Sequence, residues 1–426
     1  MIEETKKVLY FPIASYFRFF AAIRLRRWHP TIVVVTGSSG KTTLLHLLES
    51  QIGKKAKYSH HANSSYGIPF DILDLHRKSL RSFEWFGLFL NAPLAVFKEI
   101  PNEKIYVVEA DCDRPGEGKF LASLLKPQMV LWLNVFRTHS MNFDSLVSAK
   151  KFKTVDEAIA YEYGFFLEYC SESALINGDL PLAVKQKTRT KAQVIEITKN
   201  KFLQKYAVDH EKTTYTIKDQ QFSFKALLPE EIFYAIAMCQ ETMRQLGLTF
   251  DKSFFHFVLP EGRSSFFYGI KNTILIDSSY NASLSSVKAL LGMFEKFSAR
   301  SKWVVVGDML ELGEKEKEEH EELAEILAKM HVDKIILFGP RTTSYTKIKL
   351  QDLGVSMNKV ASFQSLGDVK IYFQENLKGG EAILFKGSQS MLLEGVIEHL
   401  LKNKTDARLL PRRERIWTER RAQKGV

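Results

Sequence analysis

Short uninterrupted runs of apolar and β-branched residues recur along the chain, each followed by a polar turn and a stretch with helical spacing. The first half contains TIVVV at 31–35, IYVV at 105–108 and MVLWL at 129–133. Runs of this length without polar alternation predict strands buried on both faces, as in a parallel sheet. A helix is expected from about 42 to 51, directly after the first run and a Gly/Ser turn. The alternation resumes with TILI at 273–276, WVVV at 303–306, KIILF at 334–338 and AILF at 382–385. A helix rich in Glu, Lys, Leu and Ala is expected over 315–330. Strands alternating with helices in two separate stretches predict two α/β units. Between them, residues 185–225 are polar and rich in Thr, Lys and Gln, and predict short strands and loops. Ahead of the first strand, residues 5–27 read as a helix with Ile13, Phe17 and Phe20 on one face; Pro12 falls near its start and Pro30 ends it.

Composition narrows the class. The 426 residues are 45% hydrophobic and 26% charged, ordinary values that exclude wholesale disorder. No run approaches the roughly 18 apolar residues a membrane span needs, and 11–23, the nearest candidate, is short and carries Arg18. Cys112, Cys170 and Cys239 are scattered and form no CxxC, which supports neither a disulfide framework nor a cysteine zinc site. A reducing, cytoplasmic compartment is expected. The net charge of +11 is concentrated at the ends: residues 1–30 are net +4 and residues 402–426 are net +6. A pI near 9.2 therefore does not describe a basic domain face, and no nucleic-acid partner is expected.

Thr36-Gly37-Ser38-Ser39-Gly40-Lys41-Thr42-Thr43 joins the first predicted strand to the first helix. Glycines let backbone N–H groups close around phosphate oxygens, and the helix N-terminus adds partial positive charge. Lys41 would reach the terminal phosphates and the Thr42 hydroxyl would meet Mg²⁺. The loop is a shorter form of GxxxxGK[ST], with Val35 where the first glycine is expected. Glu109 and Asn134 each follow a predicted strand, and His139 lies five residues beyond Asn134. In open parallel sheets ligands gather outside the carboxyl ends of the strands, so Thr42, Glu109 and His139 are candidates for one metal site. Alone, Glu109 reads equally as a solvated acid and His139 as a surface histidine.

Together these segments resemble the Mur ligase family, ATP-dependent amide ligases of peptidoglycan stem-peptide synthesis, and within it the MurF type, which adds D-alanyl-D-alanine. The matching motifs run in order: TGSSGKTT at 36–43, NSSYGIP at 63–69, EADCDRPGE at 109–117, NVFRTHSMNFDS at 134–145, INGD at 176–179, GR at 262–263, DSSYNAS at 277–283, GDMLELG at 307–313 and KGSQSM at 386–391. The resemblance implies a central P-loop ATPase-type domain with a mostly parallel sheet, followed by a C-terminal Rossmann-like α/β domain. The expected layout is a basic amphipathic helix over 1–30, the ATP-binding domain over 31–262, the second domain over 263–402 and a basic tail over 403–426. It also implies roles. Gly37, Ser38, Ser39, Gly40, Lys41, Thr42 and Thr43 would hold ATP phosphates and Mg²⁺, with Glu109 and His139 as further metal ligands. Lys153 stands where many members carry a carbamylated lysine; Lys150, three residues earlier on the same predicted helical face, leaves that assignment open. Asn63 would lie near the nucleotide, as would Arg263, Asp277, Tyr280 and Asn281 on closure of the second domain. Lys386 and Ser388 would lie near the incoming substrate. The implied reaction transfers the γ-phosphoryl group to a carboxylate and lets an amine displace phosphate from the acyl phosphate.

The sequence departs from the family in places. Only 35 residues precede the phosphate loop, so the domain that usually holds a uridine nucleotide is not expected. Ser278 replaces an aspartate, Gln389 an arginine, and Pro229-Glu230-Glu231 stands where a Gly-x-His-Asn segment belongs. A folylpolyglutamate-synthase-like ligase and a degenerate, non-catalytic nucleotide-binding partner protein remain the alternatives. For residues 1–30 two readings stay open. One is an interfacial helix on an anionic membrane, assisted by the tail with Arg412, Arg413, Arg415, Trp417, Arg420 and Arg421. The other is a helix packed on the body.

Overall fold

A computed structural model describes residues 2–60, 62–76, 84–137, 140–413 and 417. By packing, the chain forms two units. One comprises 1–202 and 234–257 and the other 203–233 and 258–426, so the chain passes between them three times. By packing, 203–233 and 258–262 group with the second unit.

The first unit is built on six strands: β1 (Thr31–Thr36), β2 (Ala56–Tyr58), β3 (Ile105–Ala110), β4 (Met129–Trp132), β5 (Ser173–Asn177) and β6 (Gln193–Ile197). Their order is β2-β3-β1-β4-β5-β6 and every neighbouring pair is parallel. The apolar runs form its centre because both faces are covered, and Val33, Val34, Val107, Val108, Val130 and Leu131 are fully buried. Register fixes what meets at the carboxyl ends. Val35 pairs with Glu109, and Thr36 pairs with both Ala110 and Trp132. Chain order reverses at β1, between β3 and β4, and this is the position at which open α/β sheets bind ligands.

Helix α1 (Ile2–Trp28) precedes the sheet. It begins before residue 5, so Pro12 lies in its interior rather than near its start. Helices α2 (Lys41–Ile52), α3 (Gly67–Leu73), α4 (Glu84–Ala95), α5 (Glu117–Leu125), α6 (Asp144–Ser148) and α7 (Val155–Glu168) follow. Phe17 is fully buried in the core of the first unit, with Ile13 and Phe20 packed against it. The packed-helix reading of residues 1–30 therefore holds, and this face is not presented to a membrane. Arg24 explains part of the docking. Its buried guanidinium donates to the carbonyls of Leu73 (3.2 Å), Ala95 (2.8 Å) and Glu99 (3.0 Å), so it satisfies terminal acceptors of α3 and α4 that have no partner within those helices.

In the second unit an antiparallel sheet β7-β8-β9 (Leu203–Asp209, Lys212–Ile217, Gln220–Phe224) precedes a larger one. The latter contains β10 (Ser265–Tyr268), β11 (Ile274–Ser278), β12 (Ser301–Gly307), β13 (Lys334–Phe338), β14 (Val360–Phe363) and β15 (Glu381–Lys386), ordered β10-β11-β15-β12-β13-β14. Only β10 pairs antiparallel. The expected mixture of a parallel-dominated α/β unit and a second Rossmann-like unit is what the chain forms. The tail is not free over its described part: 404–409 form a 3₁₀ helix, and Leu410, Pro411 and Arg412 are buried.

Candidate active site

The loop between β1 and α2 owes its shape to two glycines and an asparagine. Gly37 and Gly40 have φ of 126° and 80°, in the region where a Cβ is strained. At Gly37 a Cβ would also stand 2.9 Å from the backbone nitrogen of Asn134. Asn134, just past β4, grips the loop from outside: its amide donates to the Ser39 carbonyl at 2.9 Å and its Oδ1 accepts from the Ser39 N–H at 2.9 Å. Ser38 exchanges a second pair of bonds with the Phe136 backbone, each 2.8 Å. The loop is thus fixed from the neighbouring strand end with the N-terminus of α2 open beyond it, the arrangement that cradles phosphates.

Lys41 is buried. Its ammonium donates to the Gly37 carbonyl at 2.6 Å and pairs with Asp111 at 2.6 Å. Burial alone would lower its pKa, but Asp111, then Glu109 and Asp113, outweigh burial, and the net shift is upward; Lys41 is a cation at neutral pH. Asp111 is held in turn by the Tyr163 hydroxyl at 2.8 Å. The Thr42 hydroxyl donates to Glu109 at 3.0 Å, while the Glu109 N–H donates to Ser59 Oγ at 2.9 Å. Thr43 is buried beneath the loop. Thr42 and Glu109 thus present an all-oxygen pair beside the phosphate loop, which suits Mg²⁺. Asp111 was not singled out from the sequence. The available signal was its position two residues after Glu109, on the same face of an extended chain.

Other expected residues of this unit fall in different settings. Asn63 is half-buried, and its carbonyl accepts from the Asp111 N–H at 2.9 Å. His139 lies outside the described residues. Lys150 and Lys153 do not share a helical face. Helix α6 ends at Ser148, and Lys150 has φ of 55°. Lys153 is exposed just before Thr154, the residue that caps α7. A Thr N-cap and a left-handed residue break what spacing alone read as one helix.

The remaining expected residues belong to the second unit. Asp277, at the end of β11, is fully buried. Its Oδ1 accepts from the Ser279 N–H at 2.9 Å, and its Oδ2 has no hydrogen-bond partner among the described residues. Burial pushes its carboxyl up to about 6. Lys386, at the end of β15, donates to the Ser278 carbonyl at 3.3 Å and to that of Asn281. Burial, then Arg263, pulls its ammonium down to about 7. Arg263 lies over the Tyr280 ring, 4.7 Å from its centroid. Asn281 is exposed and turns its Oδ1 to the Ala282 N–H. Ser388 is buried and accepts from the Leu310 N–H at 2.9 Å, while its own N–H donates to the Asp308 carbonyl at 3.1 Å. It thereby ties KGSQSM to GDMLELG. Within GDMLELG, the buried Asp308 carboxylate accepts from the N–H groups of Arg341 and Thr342.

Arg412, assigned from the sequence to the basic tail, is part of this constellation. Buried, it forms a two-pronged pair with Glu394 at 2.8 and 2.6 Å. It also donates to the carbonyls of Tyr280 (3.0 Å) and Ser279 (2.9 Å), and so holds the DSSYNAS loop from below. Of the departures, Glu230 pairs with Lys296 at 3.2 Å, Ser278 is buried at the strand end and Gln389 is exposed.

Comparison with known proteins agrees with this geometry. The family descriptions "Mur ligase middle domain" and "Mur ligase, glutamate ligase domain" match residues 35–238 and 262–389. The UDP-N-acetylmuramoyl-tripeptide–D-alanyl-D-alanine ligase of Bacillus subtilis is 24% identical over 387 residues, 87% of this chain and 76% of its own length. That of Escherichia coli is 23% identical over 386 residues, with 88% and 77% covered. Among solved structures, MurF ligase from Thermotoga maritima in complex with ADP superposes with a TM-score of 0.72 at 24% identity, covering 91% of this chain and 83% of that one. Folylpolyglutamate synthase from Mycobacterium tuberculosis superposes with 0.57 at 13%, covering 89% and 94%. A parallel sheet that closes on TGSSGKTT, a second α/β unit carrying DSSYNAS and KGSQSM, and two matching family descriptions over most of the sequence lead to one conclusion: the chain belongs to the Mur ligase family.

Proposed function

We propose that the protein is an ATP-dependent ligase of MurF type that joins a carboxylate on a stem-peptide-like substrate to an amine through an acyl phosphate. The observation that carries this is the loop at the β1 end, with Lys41 buried between the Gly37 carbonyl and Asp111 and with Thr42 on Glu109. ATP phosphates would lie on the loop N–H groups and the Lys41 ammonium, which draw charge from the γ-phosphoryl group as it leaves ADP for the carboxylate. Thr42 and Glu109, joined by His139 on the family resemblance, would hold Mg²⁺, which supplies neutralisation of phosphate charge. The amine then attacks the acyl carbon, the C–N bond forms and inorganic phosphate departs. On the family resemblance, Lys386 and Ser388 would lie near the incoming substrate. Lys153 is proposed as the carbamylated lysine; bicarbonate dependence of activity at low pH, lost in Lys153→Ala, would support it, and full activity of Lys153→Ala would remove it.

The deciding experiment is ATP-dependent phosphate release screened over stem tripeptides, free or carried on a nucleotide or lipid, with D-alanyl-D-alanine and other amines, and product mass as second readout. Stem-peptide ligation is expected. Ligation of glutamate to a folate instead would establish the folylpolyglutamate-type alternative. Nucleotide binding without ligation over the whole screen would leave a binding protein.

A further inference from the structure

Helix α4 and the turn after it have an unusual outward face. From 85 to 97 the sequence WFGLFLNAPLAVF contains no charged residue. A helix covering a core normally carries polar residues on its outer side. The inner side of α4 is accounted for: Leu88, Ala92 and Ala95 are buried, and Phe89 packs on Tyr16 and Phe17 of α1. The outer side is nevertheless apolar. Phe86, Leu90 and Leu94 follow one another at helical spacing and are 71%, 57% and 63% exposed; Phe97, in the following turn, is 81% exposed. Scattered exposed apolar residues are normal, but a contiguous stripe of large ones marks a contact surface. Phe19 on α1 is also exposed, at 62%.

We infer that this stripe is a monotopic contact with an anionic phospholipid surface. An uncharged segment of this length is too short to span a bilayer and of the size found in interfacial segments, and no described helix is long and apolar enough to cross a membrane. The surroundings favour lipid over a protein partner. Arg77, Lys78 and Arg81 precede the helix in sequence and Lys98 follows the stripe; residues 77–104 hold five basic and three acidic side chains. Arg26 and Arg27 are exposed on α1, and Arg27 donates to the Val96 carbonyl at the end of the stripe. Phe and Leu on one helix face, with Lys and Arg flanking it in sequence and exposed on α1, is the pattern of helices that lie in the headgroup region. The contact weighed as one reading of Ile13, Phe17 and Phe20, which pack in or against the core, moves to α4.

The test is flotation of the full-length protein with phosphatidylcholine vesicles, with and without phosphatidylglycerol, at low and high salt. The variant combines Phe86→Ser, Leu90→Ser, Leu94→Ser and Phe97→Ser, all at exposed positions outside the ligation machinery. The wild type is expected to float with anionic vesicles and to be released by salt. The variant is expected to lose bound fraction by about tenfold or more while keeping its thermal midpoint and its phosphate release in vesicle-free buffer. Absence of wild-type binding at low salt would overturn the inference, as would undiminished binding of the variant. So would a wild-type dimer, without vesicle binding, that the substitutions dissolve, since the stripe would then be a protein contact. None of these outcomes depends on which substrates are ligated.

Discussion

Lys41, proposed as a phosphate ligand, is also half of a buried ion pair with Asp111, and the two roles separate experimentally. Lys41→Ala is expected to reduce ATP-dependent phosphate release by at least about a hundredfold, the usual cost of removing a donor aimed at developing charge. It also leaves Asp111 buried without its cation, so stability should fall by about 3 kcal/mol in denaturant titrations. Adding Asp111→Asn should restore much of the stability and none of the turnover. Gly37→Ala places a Cβ against the Asn134 backbone and strains a residue at φ 126°. It is expected to abolish binding of a fluorescent ATP analogue, with unchanged affinity as the contrary result. The shape of the β1–α2 loop was legible from sequence because its glycines are dictated by left-handed backbone and close approach to Asn134. Asp111 was not, because its role depends on a pairing across the strand end that spacing does not display.

At the level of elements, the apolar runs marked the central strands to within a few residues, because strands buried on both faces have little freedom in composition. Boundaries set by single residues escaped: the left-handed turn at Lys150, the Thr154 cap, and the start of α1 at Ile2. The last described segment was the largest miss. A basic, polar stretch reads as solvated, yet Leu410–Arg412 packs into the second unit because Glu394 and two loop carbonyls receive the guanidinium. Arg412→Met should destabilise the protein by roughly 3 kcal/mol through the orphaned Glu394. Pairing it with Glu394→Met should recover stability in the thermal midpoint. Ligation should stay impaired with a raised KM for ATP, because the Ser279 and Tyr280 carbonyls remain without their donor. Recovery of both properties together would make Arg412 a purely structural residue.

For the whole molecule, the buried pair of titrating groups in the second unit sets a pH profile. Lys386 binds fewer protons folded than unfolded between about 7 and its ordinary 10.5, so its contribution makes stability rise with pH across that window. Asp277 does the reverse between 3.8 and about 6, where the folded state holds the extra proton and stability falls as pH rises. Lys386→Met should therefore lose most of the wild type's gain in denaturant midpoint from pH 7 to 10; an identical slope in both proteins would show that Lys386 is not buried as a titrating group. The interleaved path of the chain has a different consequence, one of vectorial synthesis. Residues 203–233 leave the ribosome before 234–257, which the first unit still needs: Gln51 bonds Asp251 and Tyr234 bonds Asp179. In the second unit β15, made last, separates β11 from β12, so both strands wait with an open parallel edge until residue 386 emerges. Nascent chains halted between β12 and β15 would thus carry two unpaired strand edges beside a finished first-unit loop, edges that are closed only when Glu381–Lys386 slides between its neighbours.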